Sequence, residues 1–166
     1  MSSLIVMGVA GCGKSSLGQV LAAALGLPLV EGDDFHPPAN LAKMAAGIPL
    51  TDLDRAGWLD ALGEELRSER GHVVLTCSAL KRSYRDRLRA ASPGLRFVHL
   101  RIDQETALRR VAARAGEHPF PPSLVQTQFA TLEPPTGEPG VIEVDATEPL
   151  PKLMSQISAW MAGGTP

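Results

Sequence analysis

Short apolar runs recur along the chain at Leu4 to Met7, Leu29 to Glu31, Val73 to Cys77, Phe97 to Ile102 and Val141 to Val144. Continuous apolar runs of about this length suit strands of a parallel sheet covered on both faces. Between them the apolar positions take a helical spacing. Lys14 to Leu25 predicts a helix stopped by Gly26 and Pro28, and Asn40 to Ala46 a shorter one closed by Gly47. Asp52 or Asp54 is placed to cap a third helix running to about Arg70 and Gly71. Leu80, Tyr84 and Leu88 recur every four residues, which predicts one inward face and leaves Lys81, Arg82 and Arg85 outside it. Asp103 is placed to cap a helix through Ala115 whose apolar stripe is Leu108, Val111 and Ala112, with Arg110 and Arg114 on another face. Pro119, Pro121 and Pro122 precede a helix near Ser123 to Leu132, Glu133 to Gly140 reads as a Pro/Gly-rich loop, and Leu153, Ile157 and Trp160 mark a last helix. Strands alternating with helices predict an α/β architecture, and 166 residues fit a single domain.

Composition narrows the partners. With 44% hydrophobic and 20% charged residues the chain reads as soluble and globular, and no apolar stretch approaches the ~20 residues of a membrane span. The start lacks the features of a secretion signal, so a cytoplasmic location is expected. A net charge of −2 gives no general attraction to nucleic acid or to an anionic membrane, which leaves small molecules as the expected partners. Cys12 and Cys77 are too few and too far apart for a metal site or a disulfide framework and read as reduced thiols.

One motif carries chemistry outright. Gly8-Val9-Ala10-Gly11-Cys12-Gly13-Lys14-Ser15, followed by Ser16, matches the P-loop pattern and lies between a predicted strand and a predicted helix, where its mechanism requires it. Glycines let the backbone curl so that successive N–H groups meet phosphate oxygens at a helix N-terminus. Lys14 then reaches the β- and γ-phosphates of ATP, and the Ser15 hydroxyl is the expected Mg²⁺ ligand.

Three further places discriminate among P-loop proteins. The third apolar run ends at Thr76-Cys77-Ser78 without the acid of a switch or motor, while Glu31, Asp33 and Asp34 cluster after the second. Ligands of an open α/β sheet gather at the carboxyl ends of strands, so one of these acids is placed to hold Mg²⁺ through water and Asp33 to take a proton from an attacking hydroxyl. Arg110 and Arg114 belong to an expected lid around residues 109–122 that stabilises the transferred charge and excludes water. The set His36, Asn40, Lys43, Asp52, Asp54 and Arg55, with Ser78, Lys81 and Arg82, suits a small hydroxyl-rich anion as acceptor. These features point to a small-molecule kinase and leave its acceptor open.

At Gly8 to Ser15, Glu31-Gly-Asp-Asp-Phe-His-Pro-Pro-Ala-Asn-Leu-Ala-Lys-Met44, Gly47-Ile-Pro-Leu-Thr-Asp-Leu-Asp-Arg55, Trp58-Leu59, Cys77-Ser-Ala-Leu-Lys81, Tyr84-Arg-Asp86 and Thr127-Gln-Phe-Ala-Thr-Leu-Glu133, the chain resembles the gluconate kinases over almost its whole length. The resemblance implies a three-layer P-loop kinase fold with five parallel strands in the order 2-3-1-4-5, similar to shikimate and nucleoside monophosphate kinases. It implies ATP- and Mg²⁺-dependent phosphorylation of D-gluconate to 6-phospho-D-gluconate. By position, Asp33 resembles the acid that meets the acceptor hydroxyl; Arg55, His36, Ser78, Lys81 and Gln128 the groups facing gluconate; Arg110 and Arg114 the lid arginines; and Asp145 to Pro149 the loop along the adenine. Family members are commonly dimers, which makes a homodimer a further expectation. The chain departs from the family at Glu31, where Asp is frequent, at Gly57, where Pro is usual, and by one extra residue before His118. Two other readings stay open: a kinase of another small hydroxy acid such as shikimate, and a nucleotide-binding sensor without catalysis.

Overall fold

In the computed structural model the described residues are 2–68, 71–114 and 121–163. Strand β1 (Leu4–Met7) is buried at every position and lies at the centre of a parallel sheet. It is flanked by β3 (Val74–Thr76) and β4 (Arg96–Arg101), with β2 (Leu29–Glu31) and β5 (Val141–Asp145) outside them, giving the order β2-β3-β1-β4-β5. Register follows the apolar runs: Ile5 pairs with Leu75 on one side and Phe97 on the other.

Successive residues of a strand point to opposite faces, and β1 supplies two cores accordingly. Leu4 and Val6 join α1 (Lys14–Leu25), α5 (Gln104–Ala113) and α7 (Leu150–Met161) through Leu17, Leu21, Val111 and Ile157. Ile5 and Met7 face α3 (Asp52–Arg67) and α4 (Arg82–Ala91) through Trp58, Leu62, Tyr84 and Leu88. A small third cluster, Met44, Leu50 and Leu124, ties α2 (Pro38–Ala45) to α6 (Ser123–Thr131) over the carboxyl edge of the sheet.

Several expectations need correcting. Thr51, not Asp52 or Asp54, caps α3: its side chain accepts from the Asp54 N–H while the Asp54 carboxylate accepts from the Thr51 N–H, a reciprocal pair that satisfies two end-of-helix donors. The α5 stripe uses Ala107 with Val111, and Ala112 is exposed. Asp103 caps α5 as expected, accepting from the Thr106 N–H at 2.8 Å. Arg85, expected outside, is fully buried. It donates to both oxygens of Glu138 (3.0 and 2.6 Å), to the Ala79 carbonyl (2.7 Å) and to the Glu133 carbonyl (2.8 Å), so the 133–140 loop is pinned to α4 by an ion pair.

Candidate active site

The P-loop joins β1 to α1 at the carboxyl edge of the sheet. Gly8, Gly11 and Gly13 all have positive φ (148°, 84° and 95°). At the first two a side chain is also sterically barred, because a Cβ would sit 2.8 Å from the Cys12 Sγ at Gly8 and 2.8 Å from the Ala107 carbonyl at Gly11. Helix α1 starts without a side-chain cap, so its first-turn N–H groups, which have no intrahelical acceptor, serve the cleft lined by Gly13, Lys14, Ser15 and Ser16. Lys14 folds back on the loop, donating to the carbonyls of Gly8 (2.9 Å) and Val9 (3.2 Å). Gly8, Val9 and Cys12 form the loop's underside; Cys12 is buried, and burial raises its thiol pKa against the pull of Lys14, leaving it protonated at neutral pH.

Two long-range contacts brace this loop. The Ala10 N–H donates to Gln128 Oε1 at 2.7 Å, so Gln128 on α6 holds the P-loop as well as lining the cleft. Arg110 donates to the carbonyls of Gly11 and Cys12 at 3.4 Å and to that of Ala146 at 3.0 Å, bridging the P-loop to the turn after β5. Within that turn Asp145 accepts from the Thr147 N–H and hydroxyl, at 2.9 and 2.6 Å.

Beside Ser15 lies Glu31, whose Oε2 accepts from the Ser15 hydroxyl at 3.1 Å and from the Thr76 hydroxyl at 2.5 Å. Thr76 ends β3, the strand that lacks an acid; the carboxylate comes from neighbouring β2 and is aimed by Thr76. Sequence reading missed Thr76, whose only visible signal is its place at the end of a buried strand. The pairing of hydroxyl and carboxylate oxygens at a P-loop serine is the hard-donor set that suits Mg²⁺.

The cleft encloses about 1050 Å³ including its open mouth and runs from the P-loop to α3. Asp33, His36, Arg55, Ser78, Gln128, Arg110 and Arg114 all line it. Asp33 and His36 come from a 3-10 turn, Gly32–Phe35, and its end, directly after β2. His36 stacks on Trp58 with ring centroids 4.2 Å apart, and Trp58 donates from Nε1 to the Gly32 carbonyl at 2.8 Å, so the turn is clamped to α3. Arg55 is 9% exposed, and only its Nη1 is bonded among the described residues, to the Leu50 carbonyl (2.9 Å) and the Tyr84 hydroxyl (3.1 Å). Its remaining guanidinium donors are left for the cleft. Ser78 precedes Ala79, the one described non-glycine residue with positive φ (47°), whose carbonyl Arg85 grips.

Two expected acceptor residues lie elsewhere. Lys43 is not on the cleft; it donates to both Asp54 oxygens (3.0 and 2.9 Å), and the Thr51 N–H together with Lys43 holds the Asp54 carboxyl at about 2. Lys81 pairs with Asp52 at 3.0 Å on a neighbouring depression reached past Arg55, where Tyr84 also donates to Asp52. Helix spacing in the sequence gave no sign that these lysines had carboxylate partners close by. Residues 115–120, with the His118 of the expected lid, lie outside the described residues; Arg114 ends α5 at the cleft mouth.

A five-stranded 2-3-1-4-5 parallel sheet, a P-loop with its serine beside a carboxylate, and an acid, a histidine and an arginine across one cleft define a P-loop small-molecule kinase. A family model described as "AAA domain" matches residues 4–135. The chain is 48% identical to a gluconokinase of Gluconobacter oxydans over 85% of its length and 80% of that protein's. It is 41% identical to a thermosensitive gluconokinase of Escherichia coli over 93% of this chain and 84% of that one. A gluconokinase crystal structure from Sinorhizobium meliloti superposes with a TM-score of 0.88 at 50% identity, covering 97% of this chain and 91% of that chain. The chain belongs to the gluconokinase family.

Proposed function

We propose that this protein transfers the γ-phosphoryl group of ATP to the terminal hydroxyl of D-gluconate, giving 6-phospho-D-gluconate. One observation carries the choice of acceptor: a nearly buried arginine with free donors, Arg55, shares a cleft with the P-loop, and the acid Asp33 and the imidazole of His36 also line it. That arrangement suits a molecule with a carboxylate at one end and a hydroxyl at the other, and the named relatives are gluconokinases.

The P-loop amides and Lys14 bind the phosphates of ATP once the ammonium leaves the Gly8 and Val9 carbonyls. Ser15 would hold Mg²⁺, with Glu31 on its water shell. When bound, the ion neutralises charge on the β- and γ-phosphates. Arg55 takes the acceptor carboxylate, Ser78 and His36 take hydroxyls, and Asp33 orients the terminal hydroxyl and receives its proton. Arg114 and Arg110 add positive charge over the phosphoryl group in flight, and the Asp145 to Pro149 turn, tied to the P-loop by Arg110, borders the adenine. Lys43 and Lys81 act at most through their carboxylate partners.

Steady-state ADP release with MgATP over a panel of sugar acids and shikimate tests this reading. Turnover on D-gluconate with little on shikimate is expected. Turnover on shikimate alone, or ATP binding without turnover of any acceptor, would replace it with the other kinase or the sensor. Asp33→Asn should lower kcat by about 10²- to 10⁴-fold while ATP binding stays near wild type.

A further inference from the structure

Asn40, on α2, is 3% exposed and bonds in two directions. Its Nδ2 lies 2.9 Å from the Asp54 carbonyl oxygen and 3.2 Å from His36 Nδ1. A backbone carbonyl only accepts, so the Asn40 atom facing it is the amide nitrogen and not the oxygen. One N–H goes to Asp54. The other goes to His36 Nδ1, which therefore accepts with its lone pair. In a neutral imidazole the proton then sits on Nε2, 3.6 Å from Asp33 Oδ1.

The surroundings keep that ring neutral and in place. Burial lowers the His36 pKa, Asp33 opposes this from the 3-10 turn, and Arg55 on α3 reinforces it. Trp58, also on α3, holds the ring plane by stacking at an interplanar angle of 14°. Asp33 itself is 59% exposed at its side chain, and no other described group bonds its carboxylate. The described polar group facing it is the His36 ring nitrogen, an ion-pair contact at 3.6 Å.

We propose that Asn40 is a positioning residue for the phosphoryl transfer: it locks His36 in the Nε2–H tautomer, so that a donor and not a lone pair faces the Asp33 carboxylate. With the proton on Nδ1 instead, two acceptors would oppose each other and Asp33 would turn away from the acceptor hydroxyl. The proposal rests on the role given to Asp33 above.

Long-range ¹H–¹⁵N spectra of histidine-labelled protein read which ring nitrogen of His36 carries the proton, with or without turnover. At neutral pH the wild type should show Nε2–H. Asn40→Asp, isosteric but presenting an acceptor to the ring, should put a proton on Nδ1, as the Nδ1–H tautomer or the doubly protonated ring, and lower kcat on D-gluconate by about 10- to 100-fold, with KM for ATP unchanged. In a His36→Gln background, where an amide N–H replaces the ring donor whatever residue 40 is, the same Asn40→Asp change should cost kcat far less. An Nδ1–H ring in the wild type overturns the proposal. So does an unchanged kcat in Asn40→Asp, or an equal loss in the His36→Gln background. An Nε2–H ring in a chain that turns over no gluconate overturns the reaction and not the tautomer.

Discussion

Replacing Arg85 with Met keeps most of the side-chain volume and removes the charge that neutralises Glu138. Both side chains are essentially inaccessible, at 0% and 4% exposure, so the carboxylate cannot be rescued by water. Arg89 still donates to Glu138 Oε1 at 2.9 Å, but the Ala79 and Glu133 carbonyls each lose a charged donor. Breaking a buried pair from one side costs about 3–5 kcal/mol, and a chain of this size loses about 2–4 °C in Tm per kcal/mol. A fall of roughly 10 °C is therefore expected. Adding Glu138→Leu should recover part of it, because no charge is then stranded. Burial opposes ionisation of Glu138, yet hydrogen bonds from Arg85 and Arg89 outweigh it and hold the carboxyl below its ordinary value of 4.5. A depressed carboxylate contributes stability that is complete above the ordinary value and is lost as pH falls through the folded one. The gap between wild type and Arg85→Met should accordingly be full at neutral pH and narrow below about pH 4.5. Urea unfolding followed by circular dichroism across this range measures it. A neutral-pH difference under about 1 kcal/mol, or a double variant no better than the single one, would mean that no stranded buried charge sets the stability of Arg85→Met.

Three further changes probe the site. Gly11→Ala, at φ 84° and with a Cβ 2.8 Å from the Ala107 carbonyl, should weaken ATP binding sharply in calorimetry while the circular dichroism spectrum stays native. Glu31→Gln keeps the size but removes the charge beside Ser15, so Mg²⁺ titrations at fixed ATP should show a higher requirement; an unchanged titration would take Glu31 out of the metal's surroundings. Arg55→Ala should raise KM for D-gluconate by about 10- to 100-fold, the equivalent of a charged hydrogen bond worth roughly 1.5–3 kcal/mol, with little change for ATP. Equal changes in both KM values would contradict the carboxylate assignment.

The strands and the P-loop were legible because they are local: short apolar runs and a glycine-rich turn are written in consecutive residues. Strand order came from the family resemblance, and the sheet has that order. What periodicity could not reveal were partnerships between distant polar groups. Arg85 looks like a surface residue by spacing, yet Glu138, 53 positions later, makes its burial tolerable. Lys43 and Lys81 look like free cations until Asp54 and Asp52 are found beside them. Thr76 carries no charge and belongs to no motif, and Asn40 reads in the sequence only as one of the polar residues suited to the acceptor, so only the fold shows that one aims Glu31 and the other His36. For α3, Thr51 competed for the cap with two aspartates, and the reciprocal geometry with Asp54 decided it.

The product itself reports phosphoryl transfer to D-gluconate. Incubation with MgATP and uniformly ¹³C-labelled D-gluconate, read by ³¹P and ¹³C spectroscopy, should show one phosphomonoester coupled to the terminal carbon, formed in step with ADP. A phosphate on any other carbon, or ADP accumulating while gluconate stays unmodified, would contradict it.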